Sequence, residues 1–177
     1  VLEDAVAKLG TRQPDDELAN QAHWELAKAL RYARRFDDAL EVNQRTRRWQ
    51  RERLDETHPR LVITGLNRVD ILWAAGLTQQ AVDEGRQIHA EIARIYGSDS
   101  LMAARASSML ALALSDAGQL AAAIELNREV LQVWREKLGI DHSLTIRGTY
   151  TLASMLVELN EGQQEADQLF RTAVQAA

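Results

Sequence analysis

The sequence predicts an all-α fold, an α-solenoid of stacked antiparallel helix hairpins, on three observations. Marks recur with a period of 42 residues, apolar residues follow helical spacing, and glycine and proline are scarce. Leu30, Leu72, Leu114 and Leu156 carry the period, and Ala39, Ala81 and Ala123 keep it, with Ala166 following after 43. Nine Gly and two Pro in 177 residues leave little material for the many tight turns of an all-β fold. A fixed period of this length marks a repeat architecture, in which one hairpin cannot bury its apolar face alone and neighbours must stack.

Taken in order, residues 1–9 read as the end of a helix from a preceding repeat. Repeats then run over 10–54, 55–96, 97–138 and 139–177, the first opening on Leu9-Gly10 with three extra residues before its helix. Each repeat divides into two helical stretches. The first is rich in Ala, Leu and Met, as in 101–117. The second, as in 120–138, spaces Leu120, Ile124, Leu126, Val130, Leu131 and Val133 mainly at helical intervals. The short break between them forces an antiparallel hairpin. Gly76 and Gly118 fall four residues after the repeated Leu and suit the residue beyond a helix end, with Arg34 and Asn160 standing there in the outer copies. The small Ala39, Ala81, Ala123 and Ala166 let paired helices approach closely, beyond their helix propensity. Between repeats, His58-Pro59, Ser100 and His142 close equivalent loops. The acid pairs Asp15-Asp16, Asp37-Asp38 and Asp83-Glu84 are expected near helix starts, where they complement the dipole. The fourth repeat has one extra residue near Gly162, and its last helix, over 163–177, ends without a polar cap. Both unfinished ends lead to the expectation of a segment of a longer array.

A formal charge of −5 and a pI near 5.4 give no global electrostatic case for nucleic acid. Charge is unevenly distributed, with eight Arg against four acids between Arg31 and Arg53. Absence of cysteine excludes disulfides, Cys-based zinc sites and thiol catalysis. No apolar run approaches the roughly 18–20 residues of a membrane span, and the acidic N-terminus is wrong for a signal peptide. A cytoplasmic, non-membrane protein is the expectation.

Little points to chemistry. His58 and His142 lie two repeats apart, roughly 20 Å at helix spacings of about 8–10 Å, whereas metal ligands sit about 2 Å from the ion. A local role beside a helix start is expected for both, and no metal or cofactor. No phosphate loop, nucleophile elbow or zinc-protease motif occurs, so the protein is read as not an enzyme. Arg45, Arg47, Arg48, Arg51 and Arg53 share one second helix with Glu41 and Glu52, and Glu56 follows close by. They read first as a solvated face, and second as a docking face for an acidic partner or anionic polymer.

The motifs Leu26-Ala27-x-x-Leu30, Leu110-Ala111-x-x-Leu114-x-x-x-Gly118 and Leu152-Ala153-x-x-Leu156 carry a family likeness. With Phe36-Asp-Asp-Ala39-Leu40, Gln119-Leu-Ala-Ala-Ala123-Ile124 and the Leu-Gly-x-Asp-His loop, they make the chain resemble the tetratricopeptide repeat in its 42-residue kinesin-light-chain form. Repeat two departs most, having Arg68-Val69 in place of Leu-Ala. The resemblance implies a superhelix whose first helices line a concave, peptide-binding groove. Carried over, it assigns Trp24, Lys28, Arg31 and Tyr32 in repeat one, and Asn67, Asp70 and Trp73 in repeat two. It also assigns Arg105 and Ser108 in repeat three, and Arg147 and Tyr150 in repeat four. Four of the nine aromatic residues fall in that set. It further implies a sensor or regulatory segment of a larger bacterial signalling protein, such as a STAND-type NTPase. The alternatives are a self-associating scaffold and, less favoured, a nucleic-acid surface through residues 31–53.

Overall fold

The computed structural model describes Asp4, Lys8, residues 17–160 and residues 162–176. Eight helices are described: α1 (Glu17–Tyr32), α2 (Phe36–Arg53), α3 (Pro59–Ala74), α4 (Thr78–Tyr96), α5 (Leu101–Asp116), α6 (Leu120–Leu138), α7 (Ser143–Leu159) and α8 (Gln163–Ala176). No strand occurs among the described residues. The expectations for 1–9, Leu9-Gly10 and Asp15-Asp16 lie outside the described residues, except that Asp4 and Lys8 are helical and pair at 3.0 Å. The chain divides into two compact units, Val1–Glu84 and Gly85–Ala177, with residues of α4 in each.

In the first unit α1 and α2 form a hairpin, and α3 packs on both. Its core joins Leu26, Ala27 and Leu30 of α1 to Ala39 and Val42 of α2 and Ile71 of α3, with Leu40 packed against them. Each fully buried leucine or isoleucine contributes about 1.5–3 kcal/mol relative to exposure. The third helix thus closes a face that the hairpin alone would leave wet.

In the second unit α5 pairs with α6 and α7 with α8, and α6 packs on α7 to join the hairpins. Leu110, Ala111 and Leu114 of α5, Ile124, Leu131 and Trp134 of α6, and Leu152, Ala153 and Leu156 of α7 are buried. All four recurring alanines, Ala39, Ala81, Ala123 and Ala166, are also buried.

The 42-residue period has a backbone cause. The carbonyls of Leu30, Leu72 and Leu114 accept N–H bonds from the residues five positions on, Arg35, Leu77 and Gln119, at 2.9, 3.0 and 2.9 Å. That wrapped helix end requires a left-handed residue between. Arg34, Gly76, Gly118 and Asn160 have φ of 60°, 74°, 73° and 57°. Helix starts repeat as well. The Nδ1 atoms of His58 and His142 accept from the backbone N–H groups of Arg60 and Leu144, both at 3.2 Å, and Ser100 Oγ accepts from Ala103 N–H at 3.1 Å. Both histidines therefore serve locally as helix caps. Asp37 and Asp38 lie in the first turn of α2, but Asp83 and Glu84 lie inside α4, beyond its first turn.

Candidate interaction surfaces

In the first unit, Trp24, Lys28, Arg31 and Tyr32 share a stripe of α1, because residues three, four, seven and eight apart fall on one side of a helix. The Lys28 ammonium lies 4.2 Å from the centre of the Trp24 ring, and the Arg31 guanidinium 4.3 Å from that of Tyr32. Arg31 Nε also pairs with Asp70 Oδ2 of α3 at 3.0 Å, and Lys28 with Glu25 at 3.2 Å. Trp24 is half-buried, while Tyr32 is 71% exposed. Cations stacked on aromatic faces hold long side chains in place at an accessible surface. Trp73 is half-buried on α3; Asn67 is only 8% exposed, and Leu66 is buried.

In the second unit, Arg105 and Ser108 lie on α5, exposed and half-buried respectively. On α7, Arg147 is exposed, and Tyr150 meets Phe170 of α8 edge-on with ring centres 5.1 Å apart.

A second surface surrounds the Arg-rich helix α2. A concavity of about 430 Å³ is lined by Arg47, Arg48 and Arg51 of α2, Arg68 of α3 and Glu84 of α4, among others. Arg47 Nη1 donates to Glu84 Oε1, and Arg68 Nε lies 3.5 Å from Glu84 Oε2. The three side chains are 14%, 25% and 18% exposed in the order Arg47, Arg68, Glu84. Arg68, the departure from Leu-Ala in repeat two, is thus a member of an ion triad.

The second unit has a concavity at the equivalent place, about 360 Å³, lined by Arg128, Leu131, Gln132, Arg135, Leu152 and Leu169, among others. Two periods along the chain, Leu131 stands for Arg47 and Leu152 for Arg68. With the extra residue of repeat four counted, Leu169 stands for Glu84. Here Arg128 Nη2 reaches Glu165 at 2.8 Å, and its guanidinium is held above its ordinary pKa, chiefly by that hydrogen bond.

A polar tie recurs at both places. Asn43 Nδ2 donates to the Thr64 carbonyl at 2.9 Å, and Asn127 Nδ2 to the Gly148 carbonyl at 3.5 Å, each linking a second helix to the next first helix. Neither the tie nor the triad follows from a single copy. Their signal is register: Asn43 and Asn127 lie two periods apart, and Arg47, Arg68 and Glu84 replace apolar residues together.

Paired α-hairpins repeating along the chain define a helical-repeat protein. Residues 104–144 match the family model described as tetratricopeptide repeat. Among curated proteins, no sequence matches the chain. Among solved structures, the fold resembles a Podosopora anserina protein described as a kinesin light chain with nearly identical TPR-like repeats. The TM-score is 0.74 at 23% identity, covering 99% of this chain and 83% of that one. BtubC (BKLC) from P. vanneervenii aligns with a TM-score of 0.84 at 14% identity, over 99% and 73% of the two chains. The apo form of RapI gives 0.79 at 15%, over 99% of this chain and 61% of RapI. The chain therefore has the tetratricopeptide α-solenoid fold in its kinesin-light-chain-like form, and that fold is consistent with a protein–protein interaction module. No described helix is long and apolar enough to cross a membrane.

Proposed function

We propose that this is a non-catalytic module that binds an extended peptide or partner segment along the first helices of its hairpins. Each of the stretches 10–54, 55–96, 97–138 and 139–177 acts as one repeat in this reading. The observation that supports it best is the stripe on α1, where Lys28 packs over the Trp24 ring and Arg31 over the Tyr32 ring, so that each ring is partnered by a cation. Rings so partnered bury large areas against a ligand, and the neighbouring cations and Asp70 supply hydrogen bonds. Trp73 extends the same surface in the first unit, and Asn67 belongs to the set that the resemblance assigns there. Arg105, Ser108, Arg147 and Tyr150 form the corresponding surface in the second. A sensor or regulatory role within a larger signalling protein fits this reading and rests on the family resemblance alone.

The test is enrichment from a random peptide library by the wild-type chain and by a Trp24→Ala/Trp73→Ala variant whose helicity is intact. Selective loss of the enriched peptides is the expected outcome. Equal retention by the folded variant would remove this surface from the binding role.

A further inference from the structure

We propose that the Arg-rich concavity of the first unit is a second binding site, specific for the carboxylates of an acidic protein segment. The site is distinct from the aromatic stripe of α1. Its lining carries four guanidiniums against two carboxylates. Both carboxylates are already engaged, Glu84 by Arg47 and Arg68, and Glu52 by Arg53 at 2.9 Å. Among the described residues, no carboxylate pairs with Arg48 or Arg51. These two exposed arginines stand one turn apart on α2, so their side chains rise from the same face.

Glu84 already illustrates the chemistry, since one carboxylate there takes two guanidinium partners. Planar guanidiniums recognise carboxylates with charge-assisted hydrogen bonds and lose less entropy in doing so than ammonium groups. Arg47 and Arg68, fixed by Glu84, form the floor, and Arg48 and Arg51 are the groups left to receive a ligand.

The comparison with the second unit argues that this charge is a local feature rather than a demand of the fold. There the same three positions are leucines, and the architecture accepts them. Nucleic acid is the less suited anion, because no aromatic ring lines the concavity and base stacking has no platform.

The experiment titrates a fluorescein-labelled oligoglutamate peptide into the full chain at low and moderate salt, followed by anisotropy. Arg48→Ala/Arg51→Ala is expected to weaken binding about tenfold or more. Arg128→Ala/Arg135→Ala, at the equivalent concavity of the second unit, is expected to leave it within about twofold. Circular dichroism checks that both variants remain folded. Unchanged affinity in the first variant, or equal loss in both, would overturn the site. So would tighter Arg48- and Arg51-dependent binding of an oligothymidylate of equal charge. Because Trp24 and Trp73 lie outside this concavity, their double variant should bind oligoglutamate normally, which separates a failure here from a failure of the aromatic surface.

Discussion

Within each of the two units, one junction joins the second helix of a hairpin to the first helix of the next, and the two are built from different materials. In the first unit the α2–α3 junction uses Arg47, Arg68 and Glu84; in the second, the α6–α7 junction uses Leu131 and Leu152, with Leu169 on α8. Deeper in the same junctions, the buried Gln50 and Thr64 occupy the positions of Trp134 and Gly148. Shared by both is the Asn tie to a backbone carbonyl. The repeat therefore constrains backbone geometry and helix ends more tightly than the chemistry of its junctions. Leucines gain by leaving water, whereas ions must recover their desolvation cost from each other.

The largest expected effect lies in the apolar junction. Trp134 is fully buried, and a Cβ on Gly148 would lie 2.8 Å from its ring. Trp134→Ala should cost about 3–5 kcal/mol, read from the urea midpoint; a loss below about 1 kcal/mol would show that the pair does not hold the junction. Next comes Glu84→Leu, which leaves two half-buried arginines facing each other. Removing one partner of a buried pair costs about 3–5 kcal/mol, and partial exposure here reduces that to about 2 kcal/mol.

Gly148→Ala should cost about 1 kcal/mol, since overpacking outweighs the helix-propensity gain. Ala106 and Ile92 occupy the positions of Gly148 and Trp134 one period earlier. Combining Gly148→Ala with Trp134→Ile should therefore cost less than the sum of the single changes, and strict additivity would count against direct packing. A smaller effect of opposite sign is expected at Arg34, whose φ of 60° is strained for a residue with a Cβ. Arg34→Gly should raise stability by up to about 1 kcal/mol, and Gly118→Ala should lower it by a similar amount in the same assay.

Much of this was legible in the sequence because backbone requirements leave position-specific marks. Gly76, Gly118 and Asn160 revealed helix ends, since few residues accept a positive φ. Arg34 could be placed there only by register, its side chain being unsuited to the conformation. His58 and His142 were readable as local groups beside a helix start, because they recur in equivalent loops; that each accepts a backbone N–H there is what the structure adds. The aromatic stripe was legible as a set of positions, but the stacking of Lys28 and Arg31 on its rings was not, because rotamers choose among several partners. The Arg run on α2 reads as a solvated face within its own helix. Its concavity depends on Arg68 and Glu84, which arrive from other helices, 20 and 37 residues beyond Arg48 and Arg47 respectively. Glu84 illustrates the limit: beside Asp83 it looks like a helix-start acid, yet it lies beyond the first turn of α4 and pairs with Arg47 and Arg68.

The smallest expected effect provides the most direct measurement. Arg47→Leu/Arg68→Leu/Glu84→Leu rebuilds the charged junction with the residues of the apolar one. If the triad is not required by the fold, the triple variant unfolds in urea within about 1 kcal/mol of the wild type, or above it. A loss of several kcal/mol, with helicity retained before the transition, would contradict this and make the ion triad a structural clamp of the first unit.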